Sequence, residues 1–431
     1  MSRPSRRCFL QASVLGIAAA TAGSYRRAWG ANERLQVALI GCGGRGTGVA
    51  AEFAQLDGVE LRYVCDPDAS RAAAAAKRWG QATVSSDFRR ALDDKSVDAV
   101  IVATPDHWHA PAAILSCAAG KHVYVEKPCS HSFREGRWLV DAARRAGVRV
   151  QHGTQSRSID LIHHGVQLLR EGAIGKVLVA KAWNVQQRPP IGRASPSQPP
   201  SGVDYDLWVG PAPFLPYQSN RFHYTWHWWY NFGTGDMGND GVHEIDIARW
   251  GLGVDTHPST IQSIGSKYAY DDDQQFPDTQ FAIFDYPGDG HVGSKRQLQF
   301  EMRLWSRYGL EGIDNGNAFY GTDGWMLLSK RGVLKLFDER NRPREVPGSP
   351  PRLSSHFQNF ADAVRGRGTL RAEIEVGHLS AALCHLANVS ARLGRTLHFD
   401  PTAERVDGDD EAQQMLARTY RDGHWAAPPS V

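Results

Sequence analysis

The chain has few of the features that would assign it at once to a functional class. Its 431 residues include six cysteines, which form neither a C-x-x-C pair nor a Cys and His spacing typical of metal sites. After residue 30 there is no long run of Lys and Arg, which argues against nucleic acid or an anionic membrane surface as a partner. The sequence also has no internal repeat. We therefore expect buried free thiols and predict no metal site.

The first 30 residues differ in composition from the rest. Arg6 and Arg7 precede Phe9 and Leu10, and the weakly apolar run 12–23 carries no charge. That order is typical of the basic and apolar regions of a signal peptide, and the run is too short to span a bilayer. The string SRRCFLQ resembles the twin-arginine export consensus S-R-R-x-F-L-K. We therefore predict a signal peptide over 1–30 and a periplasmic or otherwise exported protein, the alternative being a basic tail on a cytosolic protein.

The charge of the chain depends on this segment. Residues 1–30 contain five arginines and no acidic residue, so their removal changes the formal net charge from +3 to −2. The remaining residues, about 400, are enough for two packed domains.

The region 34–155 alternates short apolar runs with helical patterns, which predicts a parallel sheet with right-handed crossovers. Gly41, Gly43 and Gly46 form a G-x-G-x-x-G motif between the first strand and the first helix, where a pyrophosphate can bind. Asp66 ends the second strand at the spacing of an acid that binds ribose hydroxyls. No arginine adjoins Asp66 to bind a 2′-phosphate, so the motif predicts NAD rather than NADP.

Two further motifs carry a resemblance to a known family. TPDHWHA at 104–110 and EKP at 126–128 resemble the Gfo/Idh/MocA oxidoreductases, which include glucose-fructose oxidoreductase and inositol dehydrogenases. The resemblance extends from Leu35 to about Asp400. It implies an α/β chain with a Rossmann dinucleotide-binding domain, followed by an α+β domain at 156–400 with a large open, mostly antiparallel sheet. Alternating apolar segments after residue 176 favour the same sheet, and the tail 401–431 is expected either to pack late or to fray.

The resemblance also implies where the cofactor binds. Pro128 biases Lys127 toward an extended backbone at a strand end, where its ammonium can stabilise an alkoxide. A surface lysine before a turn proline is the simpler alternative. The expected cofactor residues are Gly41, Gly43, Arg45, Gly46, Asp66, Thr104, Pro105, His107, His109, Glu126 and Lys127.

A catalytic set is expected from the segment G-V-H-E-I-D at 241–246, which matches a G-x-H-x-x-D segment of the family. His243 would exchange the substrate's hydroxyl proton beside Lys127, because a neutral imidazole is a suitable base near neutral pH. Four residues earlier the family often has an aspartate, whereas this chain has Asn239, which cannot act as a base. Asp236 or Asp240 are the candidates to replace it. A purely structural histidine is the alternative for His243.

The substrate residues are predicted more loosely. The cluster Trp226, Trp228, Trp229 and Tyr230 is either a stacking floor for a sugar ring or part of the core. The candidates for substrate contacts are Gln155, Arg157, Trp226, His227 and Asp236.

Together these features predict an exported oxidoreductase that moves a hydride between tightly held NAD and a secondary hydroxyl of a sugar, sugar derivative or cyclitol. One alternative is a glycoside-cleaving enzyme that oxidises its substrate transiently, with Tyr224 or Asp236 as the base. The other is a sugar-binding protein without catalysis. The family resemblance alone suggests a homo-oligomer formed through the C-terminal sheet.

Overall fold

The computed structural model describes residues 34–428. The predicted signal peptide therefore lies outside the described residues. Within them, no helix is both long enough and apolar enough to cross a membrane. Cysteines are present as free, buried thiols, as expected; these are Cys42, Cys65, Cys117, Cys129 and Cys384.

The first domain is built around a six-stranded parallel sheet in the order β3–β2–β1–β4–β5–β6, the Rossmann order. Its strands are β1 (Leu35–Ile40), β2 (Val59–Cys65), β3 (Thr83–Ser85), β4 (Ala99–Val102), β5 (His122–Val125) and β6 (Val150–His152). Its helices are α1 (Gly44–Ala54), α2 (Ala69–Arg78), α3 (Arg89–Asp93), α4 (Asp106–Ala118) and α5 (Phe133–Ala146). The apolar strands β1 and β4 are buried, as a sheet covered on both faces requires.

The second domain contains a ten-stranded sheet among the described residues, in the order β14–β13–β12–β11–β7–β10–β9–β8–β15–β16. Only β7 and β10 pair in parallel, so the prediction of a mostly antiparallel sheet is confirmed. Its strands are β7 (Val177–Asn184), β8 (Thr260–Ser266), β9 (Thr279–Tyr286), β10 (Arg296–Arg303), β11 (Asn315–Gly321), β12 (Gly324–Ser329), β13 (Val333–Asp338), β14 (Pro343–Arg344), β15 (Leu397–Asp400) and β16 (Arg405–Val406).

The second half of the chain contains seven α-helices among the described residues. They are α6 (Asp160–Arg170), α7 (Tyr205–Val209), α8 (Gly235–Asn239), α9 (Gly241–Leu252), α10 (His356–Val364), α11 (Ile374–Leu393) and α12 (Asp410–Met415). Short 3₁₀ turns lie at Gln155–Ser158, Ser219–Arg221 and Thr225–Trp228. Of these helices, α6, α9 and α11 pack on one face of the sheet. The opposite face exposes apolar side chains of alternate residues, including Phe281 and Ile283 on β9.

Late parts of the chain return to the first domain. Helix α10 places Phe357 and Phe360 against Phe53 of α1, with ring centroids 5.3 and 5.7 Å apart. The tail after Asp400 packs rather than frays over residues 401–428: Leu416 is fully buried, and Trp425 lies 5.7 Å from the ring of Trp108. Helix α11 contacts both α5 and the large sheet, so it joins the two domains.

Candidate functional site

A cleft of about 480 Å³ lies where the carboxyl ends of the parallel strands meet the second domain. On the Rossmann side its lining includes ten of the eleven predicted cofactor residues: Gly41, Gly43, Arg45, Gly46, Asp66, Thr104, Pro105, His109, Glu126 and Lys127. On the other side it includes Leu207, Trp208, His223, Tyr224, Trp226, His227 and Asn239.

The glycine motif forms a tight turn that has no room for side chains. Gly41 has a φ of +93°, and a Cβ on it would lie 2.5 Å from the Ala103 carbonyl oxygen at the end of β4. A Cβ on Gly46 would lie 1.9 Å from the Gly41 carbonyl oxygen. Helix α1 begins with Gly43 as its N-cap, without a side-chain cap and without an acidic residue in its first turn. Its first backbone N–H groups are therefore available to a phosphate.

Asp66 lies at the end of β2 with its carboxylate held in place. Oδ2 accepts a hydrogen bond from the Cys42 backbone N–H at 2.7 Å, and Oδ1 accepts one from the Asp68 N–H at 2.9 Å. Burial raises the pKa of Asp66. The structure also brings Arg71 into the cleft lining, 3.7 Å from Asp68, although no arginine adjoins Asp66 in the sequence. The first turn of α2 provides this cation, which the motif alone did not indicate.

The two predicted cofactor histidines after β4 differ in position: His109 lines the cleft and His107 does not. The His109 ring lies within hydrogen-bond distance of two backbone carbonyls, 2.6 Å from Pro128 and 2.9 Å from Thr104, and so connects two loops of the cleft. His107 was expected to contact the cofactor, but the structure places it outside the cleft lining. Its ring is buried against the second domain, with Nε2 3.0 Å from the Trp208 carbonyl oxygen. Burial lowers the pKa of His107 to about 3, consistent with a neutral packing residue.

Asp106, which the sequence motifs did not single out, lines the same cleft as the first residue of α4. Its carboxylate is 1% exposed and accepts a 2.6 Å hydrogen bond from the Thr234 hydroxyl of the second domain. Burial raises the pKa of Asp106 to about 7, against the weaker opposing effects of Thr234 and Lys127. This carboxyl therefore connects the cofactor loops to the segment that carries Asn239.

Glu126 is buried at the end of β5 and holds several neighbours. It forms an ion pair with Arg45 at 2.6 Å and accepts a hydrogen bond from Gln155 at 2.9 Å. Burial alone would raise the pKa of Glu126, but Arg45 and Lys127 hold it below its ordinary value. Gln155 was predicted to contact substrate. In the structure its amide instead binds Glu126 and the Tyr124 hydroxyl, outside the cleft lining.

Lys127 reaches across the cleft to the second domain. Its Nζ donates to the backbone oxygen of Asn239 at 2.5 Å and to its side-chain Oδ1 at 3.0 Å. The Asn239 amide nitrogen in turn donates to Asp236 Oδ1 at 2.9 Å, and Asn184 donates to the other oxygen at 2.8 Å. An amide suits this position because it accepts from a cation on one side and donates to a carboxylate on the other. Asp236, predicted as a substrate residue, lies fully buried behind Asn239 and outside the cleft lining.

A second row of charges lies behind this contact. Arg188 binds Asp240 at 2.5 Å, and Lys330 lies 3.0 Å from Glu244 and 3.8 Å from Asp240. Burial alone would raise the pKa of Asp240, but Lys330 and Lys127 hold it below its ordinary value. Burial raises the pKa of Glu244 to about 7. No local pattern indicated Lys330, since it comes from the end of β12, far from α9 in the sequence.

His243 follows Asn239 by about one helical turn. Its Nδ1 is buried without a hydrogen-bond partner among the described residues. Burial, followed by the charges of Lys330 and Lys127, lowers the pKa of His243 well below its ordinary value. The ring is thus neutral and close to Lys127, although it lies behind the described cleft lining rather than in it.

The other predicted substrate residues divide into two groups. Arg157 forms a buried two-point ion pair with Asp246, at 2.8 and 2.9 Å, and lies over the Trp250 ring. The structure therefore places Arg157 in the core, where it neutralises the aspartate of the G-x-H-x-x-D segment. By contrast, Trp226 and His227 line the cleft as a stacked pair with centroids 3.6 Å apart.

The remaining aromatic residues differ in burial, which separates those that could stack on a sugar ring from those that belong to the core. Trp228 and Trp229 are 1% and 7% exposed and pack in apolar clusters, so they belong to the core. Tyr224 is half exposed at the cleft, with its ring 4.9 Å from that of His227. Only part of the cluster is available to a ligand.

Two family models match this chain. The model described as an oxidoreductase family, NAD-binding Rossmann fold, of the Gfo/Idh/MocA group matches residues 35–154. The model of the C-terminal alpha/beta domain of the same group matches residues 183–281 and 337–427. Together they account for more than half of the chain. The unmatched residues 282–336 contain β10, β11 and β12.

Individual relatives match a smaller part of the chain than the two family models do, at about 30% identity. A levoglucosan dehydrogenase of Pseudarthrobacter phenanthrenivorans is 28% identical over 229 residues, covering 51% of this chain and 52% of that protein. A glycosyl hydrolase family 109 protein of Shewanella sp. (strain W3-18-1) is 31% identical over 168 residues, covering 36% and 35%. The chain thus spans about half, or less, of the length of these curated relatives.

A solved structure extends the likeness over most of the fold. The WlbA dehydrogenase of Bordetella pertussis, in complex with NADH and UDP-GlcNAcA, has a TM-score of 0.64 at 21% identity. The match covers 85% of this chain and 99% of that one. At this identity, the likeness supports the two-domain fold.

Proposed function

This chain belongs to the Gfo/Idh/MocA oxidoreductase family and has its NAD-binding Rossmann domain, and we propose that it transfers a hydride between NAD and a secondary hydroxyl of a sugar, sugar derivative or cyclitol. One observation carries the proposal. The Lys127 ammonium lies in the dinucleotide cleft and is fixed by Asn239 of the second domain.

The residues of the cleft fit the cofactor. The glycine turn and the free N–H groups of α1 suit a pyrophosphate, and Asp66 suits the ribose hydroxyls. The buried Thr104 hydroxyl beside them has no partner among the described residues. When bound, NAD accepts the hydride from the substrate carbon or returns it.

Lys127 is the group that acts on the substrate oxygen. A lysine ammonium has three donors, and Asn239 engages two of them, which leaves one for a substrate hydroxyl. That donor stabilises negative charge on the oxygen as the carbon is oxidised. His243, the neutral imidazole behind this part of the lining, is the residue proposed to exchange the hydroxyl proton, and its lowered pKa makes it a weak base that returns the proton readily in the reverse direction. Asn239 holds Lys127 in position and moves no proton.

The second domain favours retention of the cofactor. The covering segment, residues 186–232, meets the first domain beside Asp66. Ala69 N–H donates to Gly202 at 3.0 Å, Asp204 N–H donates to Pro67 at 2.9 Å, and Asp68 forms a β-bridge with Val203. Release of NAD would require these contacts to open. We therefore propose that NAD stays bound through successive turnovers and that a second carbonyl compound, or the first substrate itself, takes the hydride back.

Retention agrees with the proposal that residues 1–30 are a twin-arginine signal, which lies outside the described residues. That pathway carries folded proteins, so a held cofactor would travel with the protein to a compartment without a free NAD pool.

A glycoside-cleaving reaction is the second candidate. It is favoured by the cleft position of Tyr224, next to His227, because a transient ketone makes the neighbouring C–H acidic enough for a base to remove. The similarity to a glycosyl hydrolase family 109 protein points the same way. Cleavage of a nitrophenyl glycoside without net change in NADH would support this candidate, whereas net oxidation of the sugar would support the first.

We also propose that the open face of the large sheet associates with a second copy of this chain. The exposed apolar residues Ile264, Phe281 and Ile283 lie on adjacent strands there. Replacement of Phe281 and Ile283 by Lys should convert a dimer to a monomer in sedimentation experiments.

The proposed hydride transfer is tested on purified protein in two steps. Denatured protein is examined by mass spectrometry for released NAD, which we expect at close to one per chain. The native protein is then mixed with a panel of sugars and cyclitols, and reduction of bound NAD is followed at 340 nm in a single turnover. NAD-loaded protein that binds a sugar but gives no reduction and no cleavage would overturn catalysis and favour a binding protein.

A further inference from the structure

A cluster of histidine and carboxylate side chains lies beside Phe133 of α5, outside the cleft lining, and the proposed reaction does not use it. His257 precedes β8, His378 lies on α11, and Glu404 lies in the turn between β15 and β16. Among the described residues this is the only such group whose three ligand atoms lie within 4.8 Å of one another. Wide separation in the chain explains why residue spacing did not indicate it.

The three ligand atoms lie within 4.8 Å of one another, and His257 and Glu404 are at hydrogen-bond distance. Glu404 Oε1 lies 3.0 Å from His257 Nε2 and 3.6 Å from His378 Nε2. Two ligands about 2.0–2.1 Å from a tetrahedral zinc ion stand about 3.3 Å apart, which lies between these distances. His378 is fully buried. Its Nδ1 has no hydrogen-bond partner in the described part of the chain, and its Nε2 has the 3.6 Å approach to Glu404, which is beyond hydrogen-bond distance. An ion that binds both Nε2 and Oε1 would satisfy this buried nitrogen.

The surroundings hold the His378 ring in position. A Cβ on Gly136 would lie 2.4 Å from His378 Nδ1, so glycine makes room for the ring at that point of α5. Phe133 packs against both histidines, with ring centroids 5.2 Å from each.

Arg137 is the cation that a metal would have to accommodate. It donates to both oxygens of Glu404: Nε lies 3.0 Å from Oε2 and 3.1 Å from Oε1, and a terminal nitrogen lies 2.5 Å from Oε1, so a metal would have to displace the donors from Oε1. Its two terminal nitrogens also bind Glu375, at 2.8 and 3.1 Å. Because Arg137 has this second carboxylate, Oε1 of Glu404 can turn to a metal while Oε2 and Glu375 keep the arginine paired.

We propose that His257, His378 and Glu404 form a binding site for a divalent transition metal, best matched by zinc, which links α11 and the β15–β16 turn to the large sheet. The fourth position would be taken by water. None of the three residues lines the cleft, so the site is separate from the proposed reaction.

The test uses the full chain after treatment with a chelator. The protein is dialysed against Zn²⁺ and the bound metal is counted by mass spectrometry. We expect one Zn²⁺ per chain, a raised unfolding temperature, and an X-ray absorption spectrum with two imidazole nitrogens and two oxygens, one from Glu404 and one from water, at about 2.0–2.1 Å. His257→Ala and Glu404→Gln should each weaken Zn²⁺ binding by about 100-fold or more, while the exposed β15 histidine variant His398→Ala should bind like the wild type.

Two results would overturn the site. One is a wild-type chain that stays free of Zn²⁺ at micromolar concentrations. The other is binding that His257→Ala and Glu404→Gln leave unchanged. Both substitutions avoid the fully enclosed His378, so a folding defect there does not decide the outcome. As a further readout, Arg137→Gln should strengthen Zn²⁺ binding, because it removes the donor that competes for Glu404 Oε1; a weakening would count against the site.

Discussion

The two ends of the cleft are built in different ways. At the cofactor end, the backbone makes the site: a glycine turn, the N-terminus of a helix and one carboxylate held by two backbone N–H groups. At the substrate end, side chains make it. Lys127 follows β5, Asn239 and Asp236 lie on α8, and Arg188 follows β7. These side chains hold one another through hydrogen bonds and ion pairs.

This difference determines how each end of the cleft tolerates amino-acid substitution. A backbone site depends on a few positions where only glycine fits, and its chemistry is the same in every protein that uses it. A side-chain network depends on the sum of its charges, so one substitution alters the partners of several groups. If the two ends are independent, a substitution at one end should impair its own function, NAD retention or hydride transfer, and leave the other unchanged.

The largest effect is expected at the substrate end from Lys127→Ala. Loss of the only donor proposed to stabilise the developing alkoxide should slow single-turnover reduction of bound NAD by about 10³-fold or more. The NAD content should stay near that of the wild type, since the cofactor end is untouched. Lys95→Ala, at an exposed position, is the control. Loss of NAD together with activity would show that the two ends do not fail separately.

Asp106→Asn tests the carboxyl that joins the two ends. With a folded pKa of about 7 and an ordinary value near 3.8, the folded chain holds a proton between about pH 4 and 7 that the unfolded chain has released. The wild type should therefore lose unfolding free energy as the pH rises through that window. The variant should lack this loss, with a difference on the order of 2–4 kcal/mol between pH 5 and pH 8 in urea unfolding. Parallel pH profiles for the two proteins would disprove the assignment.

Asp66→Ala tests the cofactor end alone. The ribose hydroxyls should lose their charged acceptor, which weakens NAD retention by roughly 10–100-fold, or about 1.5–3 kcal/mol. NAD is counted after purification and its release rate is measured on dilution. Glu52→Ala, on the exposed side of α1, should retain NAD fully. Unchanged NAD content in Asp66→Ala would remove this residue from the cofactor site.

The smallest effect is expected from Asn239→Asp. This change introduces the aspartate frequent in the family but removes the amide donor to Asp236, and it puts two carboxylates at hydrogen-bond distance. We expect a loss of about 1–2 kcal/mol of unfolding free energy at pH 8. The loss should shrink at pH 5, because neighbouring carboxylates hold a shared proton in the folded chain. If Asn239→Asp is instead more stable than the wild type at pH 8, the attraction of the new carboxylate to Lys127 outweighs its repulsion from Asp236.

Sequence patterns predicted the cofactor end well for a physical reason. Gly41, Gly46 and Asp66 act within short stretches whose conformation is local, so spacing determines geometry. The same holds for the longer strands of the two sheets. The short strands β3, β14 and β16 have too few residues for a pattern, and the sequence NGNAFYG of β11 is mostly buried and lacks the alternation of an ordinary half-buried strand.

The substrate end depends on contacts between distant segments, which spacing does not encode. Gln155 and Arg157 have the chemistry of ligand-binding residues, but buried Glu126 and Asp246 require them as partners. His107 is adjacent to a true cleft residue, yet α4 turns it toward Trp208. Lys330 and Arg188 pair with Asp240 and Glu244 only because the fold brings the end of β12 and the covering segment next to α9, which no local sequence pattern indicates.

The packing of α10 and the tail against the first domain has a consequence for protein synthesis. The Rossmann strands leave the ribosome first. At that stage Phe53 lacks its packing partners Phe357 and Phe360, and Glu135 lacks its ion-pair partner Arg418, because these residues are translated later. The nascent dinucleotide-binding half therefore emerges with part of its surface unsatisfied. Its completion has to follow translation of the second half, so the domain made first is the one finished last.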